Sequence, residues 1–425
     1  MTLKQDIADI VFRSAARLRR TSGGRSGAAV VTSGAWGAIG DDAMVTAIVS
    51  ALDARGETPV DLVAKGDPAA WPDMGPGVGA IRASSVRDPG FWLGLGGLLG
   101  RRRSLYVMGA DVIDGAYGLH NSGLAARSAS LAVAAGCGAT ILGCSCRAEP
   151  APGAMAQLRA MPESVRLCAR DPVSRERFER HTGRPVEQVA DVAFLLTPDP
   201  SHPTAEGVRA WADGQRSAGR RVLAVNVNPQ GFEKKGGLSE GVAEPLRAAH
   251  AETLARLLRE RPGLSVLLVP HDTREPFGDE HAAGFLHGVL APEFGERVRL
   301  VKLPLRADVI KAIAGCADAV LAGRMHFTIA ALGMGVPTAC VTYVGKFDGL
   351  FELVGLPREL LVSPAGAADA GVLHAAASSF LDGLGGHASS VASALPRVKA
   401  LAMRNFDPSH PVPEEGGAPD AERVA

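Results

Sequence analysis

The sequence predicts an α/β protein with two domains. Short apolar runs alternate along the chain with segments of helical periodicity, and glycine or proline separates them. This alternation is typical of βαβ units, in which parallel strands form one sheet with helices on both faces. The length of 425 residues exceeds that of one ordinary core. The predicted fold class is therefore α/β, with two Rossmann-like domains.

The first half of the chain contains strand-like runs that are rich in Val, Ile, Leu, Ala and Cys. The predicted strands are 28–32, 58–63, 104–108, 139–143, 165–169 and 186–190. Helical periodicity predicts helices over 43–52, 124–135, 154–161 and 174–182. Gly136 and Gly183 stand where two of these helices are expected to end. Residues 66–90 are rich in Gly, Pro and Asp and predict a long irregular connection.

A Pro-rich stretch at 197–204 predicts a linker, after which the alternation resumes. The strands predicted beyond it are 222–227, 265–269, 298–300, 319–322 and 338–343. The helices are 241–260, 278–290, 307–315, a segment from about 326 to 335, and a closing helix at 369–385. We therefore expect an N-terminal domain over 1–200, a C-terminal domain over 201–400, and a frayed tail over 401–425.

Composition excludes several classes of protein. Apolar residues make up 46% of the chain, and 45 acidic residues balance 45 basic ones, so neither disorder nor a polyanion-binding surface is predicted. The six cysteines lack zinc-ligand spacing and are interpreted as reduced core residues, so no metal is expected. No secretory signal and no membrane span is predicted, because the most apolar run, 91–100, is short and rich in glycine. A cytoplasmic protein is expected.

Residues 317–346 carry the strongest functional signal. An apolar run ends at Gly323, and a helical segment follows, so Arg324 and His326 are predicted to lie where a strand turns into a helix. A second strand then leads to Lys346. Helix N-termini and arginine favour anions, and histidine can transfer a proton near neutral pH. The pattern predicts a site for an anionic substrate whose chemistry needs proton transfer.

Other polar residues follow predicted strands or open a helix. In open parallel sheets ligands bind beyond the carboxyl ends of the strands, and two such halves facing each other would form one cleft. Candidate substrate-binding residues on this basis are Gly40, Asp41, Arg170, Asn226, His271 and Arg324.

Purely structural roles stay open for most of these residues. Arg324 could pair with a carboxylate, and His326 could be a satisfied core histidine. Asp41 could cap the helix that follows it. Asn226 could stabilise a turn, and His271 could serve no binding role.

The ordered motifs resemble the polysaccharide pyruvyl transferase family. The strongest block is Ala322-Gly-Arg-Met-His326, followed by Gly333-Met-Gly335-Val-Pro337, Tyr343 and Lys346. Supporting motifs are Gly40-Asp41-Asp42, Gly109-Ala-Asp111, Ala169-Arg170-Asp171, Asp191-Val-Ala-Phe194 and Val269-Pro-His271. The resemblance implies a fold similar to B-type glycosyltransferases and a pyruvate transfer, with phosphoenolpyruvate as donor and a ketal on two sugar hydroxyls as product. This activity would belong to exopolysaccharide biosynthesis.

The resemblance also implies roles for particular residues. The family's active-site arginines, histidine and lysine would correspond to Arg170, Arg324, His326 and Lys346, with His326 and Lys346 as the catalytic pair. The C-terminal domain would bind the donor and the N-terminal domain the acceptor. No cofactor, metal or nucleic acid is implied, and a lipid-linked acceptor would allow peripheral association with a membrane.

Two departures from the family pattern affect the acceptor side. Ala38 stands where the family usually has asparagine, and Ala110 interrupts a run of glycines. An acceptor other than a polysaccharide precursor therefore stays open. Two other functions are also open: a B-type glycosyltransferase that uses a nucleotide sugar, and a non-catalytic anion-binding relative.

Overall fold

The computed structural model describes residues 24–83, 88–228, 243–274, 279–342 and 345–413. Within these ranges the chain forms two compact units. The first unit contains residues 24–36, Met44–Val192 and Leu401–His410. The second contains Gly37–Ala43, Ala193–Ala400 and residues 411–413. Each unit has its own parallel sheet, which confirms the predicted α/β class with two Rossmann-like units.

The first unit is built on a seven-stranded sheet in the order β3-β2-β1-β4-β5-β6-β7. Its strands are β1 (Ala28–Val31), β2 (Val60–Ala64), β3 (Val78–Arg82), β4 (Ser104–Val107), β5 (Gly138–Cys144), β6 (Arg166–Ala169) and β7 (Glu187–Gln188). All neighbouring pairs are parallel. The predicted strand at 186–190 is thus reduced to a short edge pairing.

The described helices whose residues lie wholly or mainly in the first unit follow their strands along the chain. They are α1 (Ile39–Ala54), α2 (Pro89–Leu99), α3 (Leu119–Ala135), α4 (Pro152–Arg159) and α5 (Pro172–Thr182). Asp171 caps α5 by accepting from the Ser174 amide, and Gly183 ends this helix with a left-handed backbone, as the sequence predicts.

Residues 66–90 are not one irregular connection, and this expectation is corrected. The segment contains strand β3 and leads into helix α2. Strand β3 lies at the edge of the sheet and is largely exposed, so it carries no apolar run. Helix α2 buries Trp92, Leu95 and Leu99 in the core, and its glycines obscured its helical pattern in the sequence.

The second unit is built on a six-stranded parallel sheet in the order β10-β9-β8-β11-β12-β13. Its strands are β8 (Arg221–Asn226), β9 (Leu264–Leu268), β10 (Val298–Leu300), β11 (Ala319–Ala322), β12 (Thr338–Val341) and β13 (Leu361–Val362). The described helices of this unit are α6 (Pro203–Ser217), α7 (Ala243–Glu260), α8 (Glu280–Phe294), α9 (Ala307–Ala314), α10 (Met325–Gly333), α11 (Phe347–Val354), α12 (Pro364–Ala367) and α13 (Ala370–Asp382), with α14 (Leu384–Met403) passing from this unit into the first.

Four of the described helices of the second unit were not predicted: α6, α11, α12 and α14. Helix α6 starts within the stretch interpreted as a linker, since Pro203 is its first residue and proline is tolerated there. Helix α11 is short, and α14 continues almost directly from α13. None of the described helices is long and apolar enough to cross a membrane.

The start of the predicted tail is packed rather than frayed. Helix α14 extends to Met403, and Asn405 beyond it is fully buried in the first unit. The Asn405 side chain accepts from the Gly143 amide at 2.7 Å and donates to the Ala190 carbonyl at 2.9 Å. These bonds hold Leu401–His410 against the first sheet, at β5 and just after β7. Residues 414–425 lie outside the described ranges.

Replacing Asn405 with Ala is expected to destabilise the first unit. The Gly143 amide and the Ala190 carbonyl would lose their buried partner, which costs about 1–3 kcal/mol of unfolding free energy. Chemical denaturation of the full chain measures the loss. Ser409→Ala, which removes an exposed hydroxyl from the same segment, is the matched control. An unchanged denaturation midpoint for Asn405→Ala would show that this segment does not contribute to the first unit's stability.

Candidate active site

Four neighbouring strands of the second sheet place polar residues at their carboxyl ends. Asn226 is the last residue of β8, and His271, Arg324 and Lys346 follow β9, β11 and β12. These strands are adjacent in the order β9-β8-β11-β12, and all run parallel. The four residues therefore share one edge of the sheet, where parallel sheets bind ligands.

A close backbone approach sets the position of Arg324. Gly323 donates its amide to the Asn226 carbonyl at 2.8 Å, and a Cβ at this glycine would lie 3.0 Å from the Asn228 nitrogen. Arg324 then has extended backbone as the N-cap of α10, and its carbonyl accepts from the amide and hydroxyl of Thr328. The turn predicted from strand to helix is thus present, with a glycine needed for packing.

Two buried carboxylates hold the Arg324 guanidinium. Its Nε and Nη2 donate to Asp279 at 3.0 and 2.6 Å, and its Nη1 lies 2.9 Å from Asp272. The two aspartates are 1–2% exposed, whereas the Arg324 side chain is 17% exposed. The two aspartates therefore orient the Arg324 guanidinium, which is more accessible to solvent than either of them.

The same carboxylates connect the other strand ends. Asp279 accepts from the Asn226 amide group at 3.0 Å and from the His271 backbone amide at 3.1 Å. Asp272 accepts from the side chain of Arg274 at 3.0 and 2.8 Å. Burial acts to raise the pKa of Asp272, but the Arg274 hydrogen bond and the Arg324 charge outweigh it and lower this pKa. These contacts are consistent with a structural role for Asn226, which the sequence analysis left open beside ligand binding.

His271 contributes a neutral ring. It is 4% exposed and packs with its ring centroid 5.7 Å from that of Phe327. Burial and, to a smaller extent, the charges of His326 and Arg324 together lower its pKa to about 3. At physiological pH His271 therefore adds no positive charge for an anion.

Segment Gly37–Ala43 of the second unit lies against this edge. A Cβ on Gly40 would lie 2.4 Å from Nδ1 of His326, so only glycine leaves room for the imidazole. The Thr273 hydroxyl donates to the Gly37 carbonyl at 3.0 Å and holds the segment to the strand end after β9. Gly40 is thus a packing partner of His326.

Asp42 and Lys346 add two groups that titrate near neutral pH. Burial lowers the pKa of Lys346 to about 7, against the opposing effect of the Asp41 charge. Burial also raises the pKa of Asp42 to about 8, although the Gly37 amide, 3.3 Å from each carboxylate oxygen, opposes this. Both aspartates lie in the first turn of α1, where acidic residues are favoured.

Arg170 lies in the other unit. Its Nη1 is 2.6 Å from Asp191 and its Nε donates to the Ser145 hydroxyl at 2.7 Å, with the whole side chain buried. The second unit therefore collects all the other predicted site residues, which are Gly40, Asp41, Asn226, His271, Arg324, His326 and Lys346.

Sequence reasoning missed Asp272, Arg274 and Asp279. Asp272 directly follows His271, which was a usable signal, but Asp279 reaches the site from the start of α8. Within the described residues, no group of three or more His, Cys, Asp or Glu side chains is arranged to hold a metal ion.

The part of the chain that matches a known protein family includes strands of both sheets. Residues 141–344 match the model of the polysaccharide pyruvyl transferase family. The match runs from β5 through α10 and β12, and it includes Arg170, Asn226, His271, Arg324 and His326. The resemblance to this family is therefore confirmed over these residues. No curated protein matches the chain.

Solved structures share the two-unit fold at low sequence identity. A UDP-N-acetylglucosamine 2-epimerase from Listeria monocytogenes is 14% identical with a TM-score of 0.60, over 90% of this chain and 94% of that one. The S. aureus MnaA–UDP co-structure is 11% identical with a TM-score of 0.56, over 92% and 100%. Another UDP-N-acetylglucosamine 2-epimerase is 10% identical with a TM-score of 0.56, over 93% and 100%. At these identities the likeness concerns the fold alone.

Gly40→Ala is expected to displace His326. The added Cβ would overlap the imidazole, and moving that ring should lower turnover by about 10²-fold while the protein stays folded. Turnover with the donor and acceptor proposed below, together with thermal unfolding, measures the effect. Gly214→Ala on α6 is the matched control, because its Cβ would meet no atom. Equal turnover in the two variants would contradict the packing role of Gly40.

Proposed function

We propose that the protein transfers pyruvate from phosphoenolpyruvate to two hydroxyls of a saccharide, forming a ketal and releasing phosphate. The family match over residues 141–344 supports pyruvate transfer as the reaction. The observation that carries the proposal is the position of Arg324, His326 and Lys346 on one sheet edge of the second unit. In this proposal the second unit binds the donor and the first unit binds the acceptor.

The donor needs compensation for a large negative charge. A phosphate monoester carries about −1.5 to −2 charges at pH 7, and phosphoenolpyruvate adds a carboxylate. Arg324, whose charge is balanced by Asp272 and Asp279, is proposed to contribute hydrogen bonds to one anionic group, and Lys346 becomes a cation when an anion approaches because its pKa is about 7. The family resemblance also assigns a donor-binding role to Arg170, but this residue belongs to the first unit and pairs with Asp191 there, so its role stays a prediction.

His326 is the proposed proton donor. Protonation of the donor's methylene carbon yields a methyl group and leaves the central carbon cation-like, so that a sugar hydroxyl can attack it. The C–O bond to phosphate then breaks, and the second hydroxyl closes the ketal. Of the two hydroxyl protons, one balances the new methyl hydrogen and the other leaves with phosphate. Lys346 is proposed to hold the departing phosphate.

Phosphate release tests the proposal directly. The full chain is incubated with phosphoenolpyruvate and a panel of free, nitrophenyl and lipid-linked saccharides, and the ketal is detected by mass. Thermal shift compares phosphoenolpyruvate with UDP and GDP sugars, because a ligand of the native state raises the apparent stability. Stabilisation by a nucleotide sugar alone, without saccharide-dependent phosphate release, would favour the glycosyltransferase alternative.

His326→Ala is expected to lower turnover by about 10²–10⁴-fold, the typical contribution of a positioned general acid. Its thermal unfolding should stay close to that of the unchanged protein. His287→Ala on α8 serves as the matched control. Near-normal phosphate release from the His326 variant would remove this residue from the proton transfer.

The affinity for phosphoenolpyruvate is expected to fall as the pH rises from 7 to 9. Lys346 loses its proton above a pKa of about 7, so binding must then take up a proton. Once the pH is well above this pKa, loss of the Lys346 proton alone should lower the affinity about tenfold per pH unit, and ionisation of Asp42, whose pKa is about 8, should lower it in the same direction. Calorimetry in buffers of different ionisation enthalpy measures both the affinity and the proton uptake. Lys346→Arg, which stays charged, should flatten the profile, and an unaltered slope in this variant would assign the proton to another group.

A further inference from the structure

Two tryptophans meet beyond the carboxyl edge of the first sheet. Trp36 follows the end of β1 and Trp71 follows the end of β2, and their ring centroids are 5.2 Å apart with an interplanar angle of 55°. Trp71 is 8% exposed, whereas Trp36 is partly exposed. The indole of Trp71 is therefore buried, and the indole of Trp36 is accessible to solvent.

The local sequence fixes this pair. Asp67 caps a short 3-10 helix, Pro68–Ala70, by accepting from the Ala69 amide, and Trp71 ends it by donating its amide to the Pro68 carbonyl. Gly66 has a φ of +82°, and a Cβ there would lie 3.0 Å from that of Ala35. The loops after β1 and β2 are thus packed on each other, turn geometry holds Trp71, and the Trp36 ring packs on Trp71.

A polar link ties the same loops to helix α3. The Lys65 ammonium donates to the Ser33 carbonyl and to Oδ1 of Asn121, both at 2.7 Å. Asn121 lies in the first turn of α3 and is partly exposed. The polar side chains of Lys65, on the loop after β2, and Asn121, on α3, therefore lie beside the loops that carry the two indoles.

The indole nitrogen of Trp71 has no hydrogen-bond partner among the described residues. Buried indole N–H groups usually have an acceptor, and an unsatisfied one has a cost in free energy. A ligand oxygen that enters beside Trp36, with a small shift of the side chains around it, would remove this cost.

We propose that Trp36 and Trp71 form a saccharide-binding subsite of the first unit, in which the apolar face of a pyranose ring stacks on Trp36 and a sugar hydroxyl accepts from Trp71. Aromatic rings suit a pyranose because both combine an apolar face with polar groups at the rim. This inference rests on the proposed function for its choice of a sugar acceptor. The binding measurement below, however, requires no pyruvate transfer.

Tryptophan fluorescence of the full chain tests the subsite. Methyl β-glycosides of galactose, glucose and mannose are titrated in the absence of phosphoenolpyruvate, and at least one is expected to change the emission saturably. Trp36→Ala should weaken this binding about tenfold and Trp36→Phe by less, since phenylalanine keeps an aromatic face. Trp71→Phe keeps a ring but removes the N–H and should also weaken it. Trp211→Phe, in the second unit, is the matched control.

Kinetics separate this inference from the proposed function. With an active acceptor, Trp36→Ala should raise the KM for the saccharide about tenfold and leave the KM for phosphoenolpyruvate unchanged. Saturable glycoside binding that needs Trp36, without phosphate release, would support the subsite and count against pyruvate transfer. Phosphate release with an unchanged saccharide KM in both the Trp36→Ala and Trp71→Phe variants would overturn the subsite alone. No fluorescence response to any of the glycosides would also overturn it.

Discussion

The candidate site depends on the ion pairs between Arg324 and the buried Asp272 and Asp279. Burying two carboxylates is costly unless charges and hydrogen bonds compensate them, and here Arg324 and Arg274 supply the charge. Asp279 also accepts from Asn226 and from the His271 amide, so one carboxylate joins the ends of β8, β9 and β11. Loss of Arg324 would remove its ion pair with Asp279 and leave Asp272 with Arg274, and stability and anion binding are therefore coupled at Arg324.

This neutralisation limits what Arg324 alone can do for an anionic substrate. Its charge is already balanced in the ligand-free protein, so a further anion must gain its compensation elsewhere. Lys346 and Asp42, with pKa values of about 7 and 8, can change charge at little cost near neutral pH. Such a site becomes more positive only when an anion is present, which avoids the cost of a permanent buried cation.

The site was predictable where it follows from the chain's local pattern. A strand that ends in Gly323 and a helix that starts at once fix Arg324 and His326, and the next strand leads to Lys346, so these positions required no knowledge of packing. The partners of Arg324 were not predictable, because pairing with Asp279 joins residues distant in sequence. Helix α2 was missed for a different reason: its burial is decided by the sheet it covers, and glycines weaken its helical pattern.

The two histidines at the site have different roles for a physical reason. The charges of His326 and Arg324 lower the pKa of the buried His271, so protonating both imidazoles would place like charges close together in a poorly solvated region. His271 therefore stays neutral and supports the strand end through its backbone bond to Asp279. Asp42 and Lys346, with pKa values of about 8 and 7, can exchange protons near neutral pH, and the His326 imidazole lies beside Gly40. The proposed transfer of one proton to one carbon needs only the His326 imidazole, which is consistent with a neutral His271.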